Sequence, residues 1–197
     1  MLEARELACL RGERIVFAGV SFRVAPGAAL LLTGANGAGK SSLLRLLAGL
    51  LPLAAGALLW EGADALADRA EHARRLRFLS PQDALKPALT ARESLAFAAR
   101  LQGGGGVETA LEALGLLSLA DLPVRLLSTG QRRRLALARL ALAPAPLWLL
   151  DEPTLGLDAA SVSRLGALLA RHRGRGGAVV AATHLPLPLP GATELRL

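Results

Sequence analysis

Hydrophobic and polar positions along this chain fall into three patterns, each predicting a different kind of element. Unbroken apolar runs, Ala28 to Leu32 and Leu147 to Leu150, predict strands buried on both faces. Leu76-Arg77-Phe78-Leu79 predicts another strand, ending at Ser80-Pro81-Gln82, and a further apolar run leads into His184. Strict alternation, as in Val20-Ser21-Phe22-Arg23-Val24, predicts a half-exposed antiparallel strand. The whole segment up to about Leu32 reads as short strands, with turns at Arg11-Gly12 and Pro26-Gly27. Helical spacing is the third pattern. Ser42 to Ala48 consists of good helix formers, and Glu93 to Leu101 carries apolar residues on one helical face after Thr90. Gly103 to Gly106 ends that helix, and a second one, about Val107 to Leu114, stops at Gly115. No internal repeat is visible.

Between the first buried strand and its helix lies Gly34-Ala35-Asn36-Gly37-Ala38-Gly39-Lys40-Ser41, a match to G-x-x-x-x-G-K-[ST] without a mismatch. The glycines let the backbone curl so that successive N–H groups point at an anion, and the helix beginning near Lys40 adds its positive end. Lys40 can reach the β- and γ-phosphates of a nucleotide, and the Ser41 hydroxyl can ligate Mg²⁺. A ligand-free glycine turn is the bland alternative, and the flanking strand and helix argue against it. The second long apolar strand ends in Asp151-Glu152-Pro153, placing two carboxylates at the strand end where open α/β sheets bind ligands. Asp151 is the candidate Mg²⁺ holder, and Glu152 is the candidate group for polarising water beside the γ-phosphate.

Those features are common to many ATPases and kinases. Leu127-Ser128-Thr129-Gly130-Gln131 is more specific: it resembles the LSGGQ signature of the ATP-binding-cassette (ABC) superfamily, and Arg132 to Leu142 continues as that family's helix does. The resemblance covers the chain from about residue 3 to its end. It implies an α/β fold: a P-loop NTPase (RecA-like) core with an N-terminal antiparallel β-subdomain and an inserted α-helical subdomain. The chain would be one nucleotide-binding domain, 1–197, with the core at about 1–84 and 135–197 and the helical lobe at about 85–134.

The resemblance also assigns residues. Gly34, Ala35, Asn36, Gly37, Ala38, Gly39, Lys40, Ser41 and Ser42 would hold ATP, and Ser41, Gln82 and Asp151 would hold Mg²⁺. Ser128, Thr129, Gly130 and Gln131 would serve ATP held by a partner copy, with Leu155-Gly156-Leu157-Asp158 as the D-loop. Glu152 would be the general base and His184 the γ-phosphate sensor. Two departures stand out. Threonine replaces the usual glycine at Thr129, where the family's backbone approaches phosphate. Arg11 occupies the place of the family's adenine-stacking aromatic, either stacking on the base or standing as a solvated turn residue.

Within the superfamily the chain resembles in detail the ATP-binding subunits of the haem exporter of cytochrome c maturation. The shared features are Gly34 to Leu51, the Gly56-Ala57-Leu58-Leu59-Trp60 stretch, Leu127 to Leu140, and the Thr183-His184 to Pro190-Gly191 run. That branch implies a homodimer working with integral membrane permease subunits, peripheral on the cytoplasmic face of the bacterial inner membrane. The alternatives are the ATPase of another small-molecule or lipid ABC transporter, or a soluble ABC ATPase.

Composition narrows the partners. Of 197 residues 52% are hydrophobic, yet Arg45 and Pro52 interrupt Leu43 to Trp60, and Arg139, Pro144 and Pro146 interrupt Leu135 to Leu150. Glu3 and Glu6 argue against an N-terminal signal peptide. Membrane contact is therefore expected to be indirect. The net charge of +7 is mostly arginine, but aromatics are only 3%, so no nucleic-acid partner is expected. Arg132-Arg133-Arg134 reads as a solvated helix face, and His72 and His172 read as surface residues. The lone Cys9, on an apolar strand, suits a reducing compartment.

Overall fold

The structure, a computed structural model, describes residues 1–197 throughout. In chain order the elements are β1 (Leu2–Arg11), β2 (Arg14–Val24), β3 (Ala29–Thr33), α1 (Lys40–Leu47), β4 (Ala55–Trp60), β5 (Ala63–Asp64), α2 (Arg69–Arg74) and β6 (Leu76–Leu79). There follow α3 (Ala91–Gln102), α4 (Val107–Ala113), α5 (Thr129–Ala138), β7 (Leu147–Asp151), α6 (Ala159–Gly174), β8 (Ala178–Ala182) and β9 (Thr193–Arg196).

Two sheets result. The order β6-β7-β8-β3-β9 is a parallel sheet, and β2-β1-β4-β5 is antiparallel. The unbroken apolar runs have the physical cause expected of them. Leu30, Leu32, Leu147, Leu149, Ala178 and Val180 face α1 and the antiparallel sheet, while Trp148, Leu150, Val179 and Ala181 face α6 and the helical segment. The central strands are thus apolar from Ala29 to Leu32, Leu147 to Leu150 and Ala178 to Ala182 because both their faces are covered, whereas the edge strand β6 carries Arg77 and the edge strand β9 carries Thr193, Glu194 and Arg196.

The N-terminal strands are longer than the alternation predicts. In β1, Leu2 and Ala4 are buried and so are Leu7 and Cys9, a change of parity within one strand. An irregularity in both strand pairings around Arg5 and Glu6, with Glu6 at φ 49°, inserts the extra residue. The bulge therefore disguises one long strand as two short ones.

Helical segments follow the sequence closely. Thr90 and Glu93 form a reciprocal cap at the start of α3, with the Glu93 N–H donating to Thr90 Oγ1 (3.1 Å) and the Thr90 N–H donating to Glu93 Oε2 (2.8 Å). Leu95, Ala98 and Ala99 of α3, Ala110 and Leu111 of α4, and Leu135 to Ala138 of α5 bury one continuous face. After Ala138 the signature helix tightens into a 3₁₀ turn, Arg139–Ala141.

Three surface expectations are corrected. His72 is 1% exposed: its Nε2 lies 2.8 Å from the Leu47 carbonyl at the end of α1, so the imidazole closes that helix's C-terminus. His172 stacks on Trp148 with ring centroids 3.8 Å apart, and its Nε2 lies 3.1 Å from the Ala178 carbonyl; burial pushes its pKa down. The arginine run is not a solvated face either. Arg132 donates to the Leu127 carbonyl and Thr129 Oγ1, Arg134 donates to the Leu114 and Gly115 carbonyls at the end of α4, and Arg133 is buried. Cys9 is buried, as its strand position predicts.

Candidate nucleotide-binding site

β3, β8 and β7 are adjacent in the parallel sheet, so the segments leaving their carboxyl ends converge. From β3 comes the glycine loop, from β7 the Asp151-Glu152 pair, and from β8 the Thr183-His184 turn. Gly34, Gly37 and Gly39 all have left-handed backbone, with φ of 131°, 86° and 104°. At Gly39 a side chain is excluded twice over, because a Cβ there would lie 2.9 Å from Val16 Cγ1. Gly39 is also the N-cap of α1 and supplies no side-chain acceptor, which leaves the first N–H groups of the helix free for an anion.

Lys40 is 9% exposed, and its ammonium donates to the carbonyls of Gly34 (2.8 Å) and Ala35 (3.0 Å), folding over the mouth of the loop. The loop opens on a cleft of about 640 Å³, lined by Asn36, Gly37, Gly39, Lys40, Ser41, Ser42 and Arg45 together with Glu152 and with Arg11, Arg14, Ile15 and Val16. That volume lies within the range of small-molecule and cofactor sites.

The Ser41 hydroxyl donates to Asp151 Oδ1 at 3.0 Å, while Oδ2 is buried with no partner. One orphaned carboxylate oxygen beside one hydroxyl suits Mg²⁺, which takes one or two protein oxygens and completes its shell from water and phosphate. Burial foremost, and then the neighbouring Glu152 charge, push the Asp151 carboxyl up, against the pull of the Ser41 hydrogen bond. A carboxyl whose pKa is raised by folding binds its proton more tightly in the native state. Its contribution is therefore most favourable below the ordinary carboxylate range and declines as pH rises through the folded pKa. Asp151→Asn is accordingly expected to raise the thermal midpoint of the nucleotide-free, metal-free protein at neutral pH and to abolish the further rise produced by Mg²⁺ with ATP. Differential scanning calorimetry with and without both ligands reads the two effects.

Glu152 has φ 48°, a left-handed conformation rare for a non-glycine residue and often kept at functional sites. Its Oε2 lies 3.0 Å from His184 Nδ1, and the His184 backbone N–H donates to the same oxygen at 3.4 Å. The carboxylate and the imidazole are thus already a pair beside the phosphate loop.

Not every expected residue converges here. Gln82 is exposed and lines a different cavity, between β6, α3 and the signature helix. Ser128, Thr129, Gly130 and Gln131 are also absent from the cleft lining. Ser128 caps α5, accepting from the Gln131 N–H at 3.2 Å, while the Ser128 N–H donates to Gln131 Oε1 at 2.8 Å. Gly130 approaches the D-loop so closely that a Cβ would lie 3.1 Å from the Gly156 carbonyl. Arg11 does reach the cleft, and its hairpin partner in register, Arg14, joins it. Arg14 and Arg45 were missed by motif reading; the spacing of Arg14 from Arg11 across a two-residue turn was the available signal.

A parallel α/β sheet with this phosphate loop and strand-end carboxylate pair, an antiparallel sheet beside it and a helical segment opening on a capped signature, is an ATP-binding cassette. The ABC transporter family profile matches residues 17–155. A cytochrome c biogenesis ATP-binding export protein CcmA from Rhodospirillum rubrum is 57% identical over 194 residues, covering 98% of this chain and 83% of its own length. The protein of the same name from Paramagnetospirillum magneticum is 51% identical over 200 residues, covering 98% and 92%. Among solved structures, an ATP-binding subunit of an ABC transporter superposes with a TM-score of 0.85 at 26% identity, over 94% of this chain and 80% of that one. A dimeric ATP-binding cassette in a post-hydrolysis state with ADP and phosphate shares the fold at a TM-score of 0.88 and 24% identity, covering 100% and 94%. The chain belongs to the ABC transporter family, in its group of cytochrome c biogenesis ATP-binding export proteins, and is an ATP-hydrolysing subunit. No helix is long and apolar enough to cross a membrane.

Proposed function

We propose that two copies of this chain close on two ATP molecules and drive integral membrane subunits that export haem for cytochrome c biogenesis, peripheral on the cytoplasmic face of the bacterial inner membrane. The curated relatives' name supports the pathway. The observation that carries the two-copy mechanism is the placement of Ser128 to Gln131, a helix start with polar caps that lies outside the cleft of its own chain. In this reading the helical lobe spans about 85–134, and the core spans about 1–84 and 135–197.

In this reading the residues take the following roles. The loop from Gly34 to Lys40 and the start of α1 at Ser41 and Ser42 bind the phosphates, and Arg11 and Arg14 flank the base and ribose. Ser41 and Asp151 would hold Mg²⁺, joined by Gln82 once its loop swings inward. The chemistry the ion would supply there is neutralisation of phosphate charge. Glu152 accepts the proton of the attacking water, and His184 keeps the carboxylate aimed while contacting the γ-phosphate. The partner's signature, Thr129 included, covers the same phosphate and excludes water.

Purification from membranes tests the assembly and cargo. The chain is expected to bring integral membrane subunits and haem absorbance with it. Recovery with membrane subunits but no haem would reject the cargo, and recovery alone would reject the transporter assembly.

A further inference from the structure

Arg133 is a charged side chain that the proposed mechanism leaves unused. It is 3% exposed and sits one turn into α5, yet its guanidinium reaches two other segments. One terminal nitrogen donates to the Ser80 carbonyl and to Asp83 Oδ1, both at 2.9 Å. The other donates to the Asp151 carbonyl at 3.1 Å and the Glu152 carbonyl at 2.6 Å. The acceptors lie on the loop after β6 and at the end of β7, so a single planar fork ties the signature helix, the Gln82 loop and the carboxylate pair together.

The Glu152 backbone is where this matters. Its φ of 48° is costly for a side chain-bearing residue and persists only where surrounding bonds over-determine it. The Glu152 N–H donates to the Ala182 carbonyl at 2.8 Å, and its carbonyl accepts from Arg133 and, at 3.2 Å, from the Leu155 N–H. Two of those bonds come from backbone that the sheet and D-loop supply. The Arg133 bond alone comes from the helix carrying the signature.

We propose that Arg133 is a positioning residue for ATP hydrolysis: its guanidinium clamps the carbonyls of Asp151 and Glu152, holds the left-handed backbone that aims the Glu152 carboxylate, and carries movement of the signature helix to it. This rests on the role of Glu152 given above. The clamp depends on fork geometry as well as charge. A lysine has one nitrogen and cannot span acceptors on both segments.

The test compares Arg133→Lys and Arg133→Gln in the complete transporter complex. Both are expected to lower kcat by about tenfold to a hundredfold while the KM for ATP stays within about twofold, because the nucleotide contacts are untouched and only the reacting geometry shifts. Arg134→Gln, one residue along the same helix, is expected not to reproduce the loss. The lysine variant keeps the buried charge and serves if the glutamine variant does not fold. In a Glu152→Gln background, Arg133→Lys is expected to slow single-turnover hydrolysis no further, since both act through one carboxylate. Wild-type kcat in Arg133→Lys, an equal loss in Arg134→Gln, or a fully multiplicative loss in the double variant would each overturn the clamp. If instead Glu152→Gln retains full turnover, the role of Glu152 itself fails.

Discussion

Replacing Glu152 with glutamine is expected to leave ATP binding intact and to cut hydrolysis by about 10²- to 10⁴-fold, the range associated with a positioned general base. Glutamine keeps the size of the side chain and can still face His184, whose Nδ1 lies 3.0 Å from the native carboxylate. It cannot accept the proton of water. Binding survives because the loop, Lys40 and the start of α1 are unchanged. The variant therefore accumulates as a closed, ATP-loaded dimer, visible as a doubled mass in size-exclusion chromatography with ATP and Mg²⁺. Normal phosphate release would remove Glu152 from its role.

The second large effect is on binding. Lys40→Ala removes the ammonium that bridges the Gly34 and Ala35 carbonyls and that lies beside the expected β- and γ-phosphates. Affinity for ATP is expected to fall at least about a hundredfold, in line with the loss of a charge-assisted contact worth about 3 kcal/mol. The fold should persist, because the fully buried Leu43, Leu44, Leu46 and Leu47 of α1 still fill the core beneath the loop. Titration calorimetry with ATP, alongside circular dichroism of the same sample, separates the two outcomes. Undiminished affinity would contradict the assignment of the phosphate site.

What could be read from the chain divides along a physical line. The phosphate loop and the carboxylate pair were legible because each is a contiguous stretch whose backbone and neighbouring side chains form one local unit. The parallel strands were legible because burial on both faces forces every position in Leu147 to Leu150 to be apolar. Residues whose roles depend on distant partners were not legible. Arg133 looks like one member of a basic run, but its acceptors at Ser80, Asp83, Asp151 and Glu152 come from other elements. His72 sits among Arg and Glu residues in sequence, and only packing of α2 on the end of α1 buries it. The bulge near Glu6 hid the length of β1 by reversing the alternation in mid-strand.

Gln82 and Ser128 to Gln131 form a third group. Sequence motif alone ties them to the nucleotide, and they stand apart from the cleft lined by Lys40 and Glu152. In the proposed mechanism the first reaches the site by movement of its own loop and the second by approach of another copy. The Arg133 fork, bonded to both the Gln82 loop and the carboxylate strand, would link those two movements.

Paired variants in a tandem-linked dimer of the cassette test most directly whether each ATP is enclosed by two copies. When Lys40→Ala is in one half and Ser128→Arg in the other, both lesions fall on one shared pocket, and the account predicts that the second pocket still hydrolyses ATP. When both changes are in the same half, each pocket carries one lesion, and activity is predicted to vanish. The reverse result, activity with both lesions in one half and none when they are split, would show that each polypeptide completes its own site and would contradict the account.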